Sequence, residues 1–415
     1  MKMMTTFFCF VSGFFLFICQ FSCDMNRPED STNQSIHYFP EDEFEAWFGG
    51  PDYYSQWSNG PSSDSGYFPI AVWLQSPRNA AKYKAIGINL YIGLWQGPTE
   101  TQLAELSASG MNVIASQNSI AINSTNRYII KGWAHQDEPD NAQPDGKGGY
   151  GPCVSPVQIQ DIYKNMKSTD SSRPVYLNLG QGVANKEWPG RGSCSGRDED
   201  YPQYIAGADI ISFDIYPAVS QRQNVSGNLW LVAYGVERLR QWAEYSKPVW
   251  VWLETTHISN PGVRPTPHQI RAEVWMALIH GARGIGYFAH EFEPGFIEAG
   301  LLAYADISQA VSEINHQILS LAPVLNSRMV VNGASVRSSQ SDVPIATMLK
   351  RRVNSTYLFT VAMRNAATNG TFNLKNIPEK ATVEVIGEDR QLQITNGVFS
   401  DQFKGYDVHL YRIQY

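Results

Sequence analysis

Residues 128–139 read YIIKGWAHQDEP, an aliphatic and aromatic run that ends in two adjacent acids, Asp137 and Glu138, and a proline. The run has the length and the β-branched and aromatic content of a strand, and Pro139 stops it. Two like charges side by side gain nothing from each other, so Asp137-Glu138 needs either a solvated loop or a task. Seven further runs repeat the design: FPIAVWL (68–74), INLYIGLW (88–95), MNVIAS (111–116), PVYLNLG (174–180), DIISFDIYP (209–217), PVWVWLE (248–254) and GIGYFAH (284–290). Near-continuous apolar runs suit strands buried on both faces, as in parallel sheets.

Helices separate these runs. Thr99 with Gln102, Ser155-Pro156 with Gln158, and Thr266-Pro267 with Gln269 are capping boxes, two of them with proline at the first helical position. Ile159, Ile162, Tyr163 and Met166 fall at helical spacing, as do Ile307, Val311, Ile314 and Ile318, and Gly110 and Gly281 close helices just before strands. Eight strands alternating with helices predict a (β/α)8 barrel over residues 67–328. The alternative, an open doubly wound sheet, lacks the G-x-G-x-x-G expected after its first strand. From 329 to 415 the pattern changes to short alternating stretches such as TYLFTVAMR (356–364) and YDVHLYRI (406–413), which predict a small C-terminal antiparallel β-sandwich. Residues 24–66, rich in Pro, Ser, Asp, Gly and aromatics, read as a segment wrapping the barrel.

The 415 residues carry a formal charge of -7 with Lys and Arg scattered, which gives no basic footprint for nucleic acid. Lys2, the apolar run at 7–19 and the small residues Ser22 and Cys23 have the layout of a secretory signal peptide over 1–23; an uncleaved N-terminal anchor is the alternative. With the signal removed, no stable membrane association is expected, Cys9 and Cys19 are lost, and Cys153 and Cys194 remain as an expected disulfide. Sequons at Asn33, Asn123, Asn224, Asn354 and Asn369 fit a secreted glycoprotein.

In a barrel of this kind chemistry lies at the C-terminal strand ends. There the chain puts Asp137 and Glu138 on the fourth strand, Asn178 and Gln181 after the fifth, Asp214 and Tyr216 on the sixth, Trp252 and Glu254 on the seventh, and Tyr287, His290 and Glu291 on the eighth, with His257 close by. Acids, amides and aromatics together are the equipment of a carbohydrate site: one carboxyl protonates the leaving oxygen while another attacks or activates water. Trp95, Trp133, Trp250 and Trp252 are candidates for stacking on sugar rings, two of them in the pocket. His135, His257 and His290 lack the close spacing of a metal site such as H-E-x-x-H, and no P-loop or G-x-S-x-G elbow is present, so no cofactor is implied.

The W-x-x-x-D-E-P of strand four, with the W-x-E of strand seven, resembles the clan A glycoside hydrolases, including family 42-like and family 5-like barrels. The resemblance covers roughly 67–325, and the helix-to-strand stretch PHQIRAEVWMALIHGARGIGYF (267–288) extends it. It implies a retaining enzyme acting on a polysaccharide or oligosaccharide, with Glu138 as acid/base, Glu254 as nucleophile, and the two carboxyls about 5–5.5 Å apart. Asp137 stands where the clan usually has asparagine, and Tyr287-Phe288 where it has tryptophan. Two other readings stay open. Asp214 pairs with Glu254 in an endo-acting hydrolase of a sulfated glycan, for which Lys186, Arg191 and Arg197 supply cations, or the barrel binds carbohydrate without turnover.

Overall fold

The computed structural model describes residues 42–46 and 49–414; the expected signal peptide and the first part of the expected wrapping segment lie outside them. Eight parallel strands close into a barrel: β1 (Ile70–Trp73), β2 (Leu90–Ile92), β3 (Asn112–Ala115), β4 (Ile130–Ala134), β5 (Val175–Leu179), β6 (Ile210–Asp214), β7 (Val249–Glu254) and β8 (Gly284–Phe288), with β8 pairing back onto β1. All eight runs singled out in the sequence are strands of this barrel. Among the helices around them are α1 (Ala80–Ala85), α2 (Glu100–Ala108), α3 (Ser119–Asn123), α4 (Pro156–Thr169), α5 (Asp200–Ile205), α6 (Trp230–Trp242), α7 (Pro267–Ile279) and α8 (Ala305–Leu325). The three capping boxes form as predicted, at the starts of α2, α4 and α7.

Side-chain alternation sorts each strand between two cores. On β7, Val249, Val251 and Leu253 join the layer between sheet and helices, while Trp250 and Trp252 fill the barrel interior with Ala71, Ile92, Ile114 and Tyr176. Room for the two indoles comes from β8: a Cβ on Gly284 would lie 2.7 Å from the Trp250 ring, and one on Gly286 would lie 2.3 Å from that of Trp252. Tyr54 and Trp57, from the segment before β1, join the interior core, and Trp250 Nε1 donates to the Tyr54 hydroxyl (3.1 Å).

The C-terminal strands β9 (Ala334–Ser338), β10 (Ile345–Arg352), β11 (Ser355–Ala362), β12 (Thr368–Leu374), β13 (Lys380–Val385), β14 (Arg390–Thr395), β15 (Val398–Phe403) and β16 (Val408–Gln414) are antiparallel. They form one hydrogen-bonded sheet, ordered β9-β12-β15-β14-β13-β16-β11-β10. One face builds its own core from Phe372, Val383, Val385, Phe399, Tyr411 and Ile413. The other turns Met348, Phe359, Val361 and Leu410 onto the barrel, where the Phe359 ring lies 5.2 Å from that of Trp275 on α7. The C-terminal sheet is thus anchored on the helix that leads into β8.

Cys153, after β4, and Cys194, after β5, form the expected disulfide with Cα atoms 6.2 Å apart, so it ties the loops of two adjacent strands on the rim that carries Glu138. Asn123, Asn224, Asn354 and Asn369 are exposed, and Asn33 lies outside the described residues. Among the described residues no helix is long and apolar enough to cross a membrane. Replacing both cysteines by serine is expected to lower stability by about 3–4 kcal/mol through the freed chain entropy; a melting temperature in urea series equal to wild type would show that the bridge constrains nothing.

Candidate active site

The two acids of strand four diverge. Glu138 has φ 40°, a left-handed conformation that costs a non-glycine residue about 1–3 kcal/mol and that turns the chain just after Asp137. Asp137 keeps an open face to a cleft, while its Oδ1 accepts from Asn178 Nδ2 (3.0 Å) on β5. Burial of its base, then the neighbouring Glu138, push its carboxyl up to about 7, against the water on its open face. Glu138 turns instead toward β6 and hydrogen-bonds Asp214.

Glu138 and Asp214 lie in contact, where one proton between them relieves the repulsion of two carboxylates. Burial and the Asp214 charge hold the Glu138 carboxyl well above the usual carboxylate range; Asp214 is raised to about 7 by burial, opposed by the bond from Glu138 and by the Tyr216 hydroxyl. The larger upward shift is that of Glu138, so Glu138 is the better proton holder of the two. Glu138 Oε2 accepts from Asn141 Nδ2 (2.8 Å), and Asn141 Oδ1 accepts from Trp188 Nε1 (3.0 Å), which fixes which end of the amide faces the acid. Gly180 makes the fit possible, since a Cβ there would lie 2.9 Å from Glu138 Oε1.

Asp137 is supported from below by a directional chain of hydrogen bonds up the barrel interior. Trp252 Nε1 donates to the Tyr176 hydroxyl (2.8 Å), Tyr176 to Ser212, Ser212 Oγ to Asn178 Oδ1 (2.7 Å), and Asn178 to Asp137. Trp252, expected as a stacking residue, is 2% exposed and is the base of this column.

Glu254 is the last residue of β7. It is 0% exposed, and its oxygens accept from the backbone N–H groups of Ala218 (2.6 Å) and Val219 (2.9 Å) in the loop after β6. The acid it meets is Glu273 of α7, also fully buried and offered no N–H donor. Burial and then Glu254 raise Glu273 well above its usual range, while burial raises Glu254 to about 7, so both acids of this second pair favour their protonated forms. Its two backbone donors make Glu254 the fastener of the loop that carries Tyr216.

The cleft over Asp137 has a volume of about 870 Å³ and is walled by Trp73, Trp95, Phe288, His290, Phe292 and Phe296. Of the four candidate tryptophans, Trp95 faces it, 69% exposed; Trp133 lies in the outer core on Asp170, and Trp250 and Trp252 lie inside the barrel. His290 lines the cleft with Nε2 3.2 Å from Gln75 Nε2, and Gln181 lines a separate recess. Tyr287 points the other way, its hydroxyl donating to Asn315 on α8, because it has the outward parity of its strand. His257 packs on Tyr304 and braces its own loop through Val263 O (2.8 Å). Arg191 is buried on the Asp140 carbonyl and Asp200, so it is not offered to an acidic glycan. The aromatic loop residues Phe292 and Phe296 and the orienting pair Asn141 and Trp188 are what reasoning from strand ends missed; the FEPGF stretch directly after β8 was the available signal.

No protein-family profile matches the chain, and no curated protein matches it in sequence. Similar backbones occur in solved structures. A glycoside hydrolase family 30 endoxylanase from Clostridium papyrosolvens C71 is 12% identical with a TM-score of 0.48, over 90% of this chain and 98% of that one. A family 30 subfamily 8 xylanase from Clostridium acetobutylicum is 12% identical with a TM-score of 0.46, over 90% and 98%. An alpha-amylase from Geobacillus thermoleovorans is 8% identical with a TM-score of 0.45, over 85% and 99%. Likeness at this level concerns the course of the backbone and assigns neither substrate nor residues.

The Glu254–Glu273 pair generates a stability prediction. Both acids bind protons more tightly folded than unfolded, so their contribution is fully present below about pH 4, the range of free carboxyls; that of Glu254 is lost as pH rises through about 7, and that of Glu273 goes on falling as pH rises further. Glu273→Gln supplies an amide donor to Glu254 at every pH. Its melting temperature is expected to gain on wild type by several degrees between pH 5 and pH 8, at about 2–4 °C per kcal/mol; parallel melting curves over that range would show that no proton is shared.

Proposed function

We propose that this chain is a secreted glycoside hydrolase of a polysaccharide or oligosaccharide, with Glu138 as acid/base and Asp214 as the second carboxylate. The observation that carries the reading is the contact between the Glu138 and Asp214 carboxyls at the C-terminal mouth of the barrel, both raised in proton affinity by burial, beside an open aromatic cleft. A carboxyl kept protonated at neutral pH is the group that glycosidic cleavage needs as its acid, and aromatic walls suit the apolar faces of sugar rings. Secretion rests on the layout of residues 1–23 and on the disulfide.

Before a glycan binds, Glu138 directs its proton to Asp214 in a hydrogen bond. An entering glycosidic oxygen takes Asp214's place as acceptor and parts the two carboxyls. Glu138 then protonates the leaving oxygen, and Asp214 is released on the opposite side of the anomeric carbon. A separation of about 5–5.5 Å serves a covalent intermediate, and about 6.5–9.5 Å leaves room for an inverting water. The smaller movement from hydrogen-bond contact favours retention. Asp137, held by Asn178 and open to the cleft, is placed to accept a sugar hydroxyl, and the Tyr216 hydroxyl stabilises Asp214 once it is ionised. Glu254 acts through the loop it fastens.

The test is turnover on a panel of neutral and sulfated polysaccharides, with product stereochemistry read by NMR. Glu138→Gln and Asp214→Asn are each expected to lower kcat by about 10²–10⁴-fold, the range of general acid–base help. Glu254→Gln is expected to keep most of kcat in the protein that remains folded. Full loss in Glu254→Gln at unchanged melting temperature, with Asp214→Asn active, would return the nucleophile role to Glu254. Glycan binding without turnover in wild type would leave a carbohydrate-binding barrel.

A further inference from the structure

A second recess lies beside the acid group. Its volume is about 330 Å³, and Gln181, Trp188, Tyr216, Ser220, Arg222 and Asn260 line it. It shares Gln221 and Arg222 with a wider hollow that runs on to Asn185 and Asn224. The recess is distinct from the aromatic cleft. The two are flanks of one ring pair: Tyr216 lines the recess, Phe288 lines the cleft, and their centroids are 5.3 Å apart. Reactive groups attach to both flanks, since Asp137 lines the cleft and the hydroxyl of Tyr216 contacts Asp214.

The lining of the recess is equipped to hold a polar ring. The Arg222 guanidinium lies over the Trp188 indole, 4.7 Å from its centroid. A guanidinium over an aromatic ring still has N–H donors at its edge for the hydroxyls of a ligand. Gln181, Ser220 and Asn260 add polar side chains on the same walls. Trp188 also reaches the chemistry, because its Nε1 fixes Asn141, which donates to Glu138.

We propose that this recess is a second saccharide-binding site, so that a glycan lies across Tyr216 and Phe288, with sugar units in the aromatic cleft on one side and on the Arg222–Trp188 platform on the other. The chain is then cut internally, not trimmed from one end. This rests on the glycoside hydrolase reading. An enzyme that releases terminal units needs one blind side, whereas here both flanks of the acid group hold a cavity lined by side chains suited to sugars.

The experiment has two arms. An array of linear oligosaccharides of graded length, with neutral, carboxylated and sulfated backbones, is probed with Glu138→Gln, which retains both flanks. The glycan it selects is then digested with wild type, Arg222→Ala and Trp95→Ala, with reducing-end-labelled products followed by mass spectrometry. The expected early products come from internal cuts. Arg222→Ala should raise KM by about 10-fold, the cost of one lost hydrogen bond to a charged group, with the loss confined to glycans long enough to reach the recess. Trp95→Ala should raise KM for long and short glycans alike. Release of terminal units one at a time, or an unchanged KM for long glycans in Arg222→Ala, overturns the second site and leaves the hydrolase reading standing. If the array selects no glycan and the wild type cleaves none, the hydrolase reading falls and this inference falls with it.

Discussion

The site depends on a column of hydrogen bonds inside the barrel. From Trp252 through Tyr176, Ser212 and Asn178 to Asp137, each group donates upward to the next, so the column has one direction and ends as a donor to a carboxylate. In a dry interior such a chain polarises along its length, and breaking any member strands a buried polar group. Its base can stand where it does because Gly286 leaves the Trp252 indole room on the neighbouring strand. Barrel packing and the orientation of Asp137 are therefore one problem with one solution: three side chains of the column are also the inward-facing residues of β5 and β6.

Two pairs of carboxyls divide the acidic residues at the strand ends between different tasks. Glu138 and Asp214 meet at the mouth, where the Tyr216 hydroxyl and the Trp188–Asn141 relay can bias the proton. Glu254 and Glu273 meet in the buried interior, where the backbone N–H groups of Ala218 and Val219 satisfy Glu254, while among the described residues Glu273 has only Glu254 to turn to. Both pairs bear on the loop after β6, one at its start and one along its length. Burial is the common cause of both, but exposure separates them: Glu254 and Glu273 have no exposed surface, whereas Glu138 and Asp214 are only partly buried.

Much of the architecture was legible before any coordinate. Apolar runs of strand length, capping boxes at Thr99, Ser155 and Thr266 and the change of period after residue 328 are local signals, and local geometry answers to local sequence. The same holds for the position of Asp137 and Glu138, since a strand that runs into two acids and a proline stops there. The Cys153–Cys194 pair was legible by a longer route: loops following adjacent parallel strands are neighbours on one rim. The aromatic wall was only half legible, because alternation separates inward Trp252 from outward Tyr287 only once strand ends are known to the residue, and because Phe292 and Phe296 lie in a loop with no period to read.

What the sequence by itself determined is the barrel, its strand order, the C-terminal sheet and the acids available at each strand end, all of which follow from hydrophobic pattern and chain-local stops. Only the tertiary structure decided which acids meet. The left-handed turn at Glu138 carries its carboxyl to Asp214 on a strand two places along the barrel. Glu254, whose position in the strand makes it look like a partner for Glu138, is claimed by two backbone N–H groups from one loop and by a glutamate from α7. The reason is physical: a buried carboxylate goes where donors can satisfy it, and those donors come from segments far apart in the chain that only packing brings within reach.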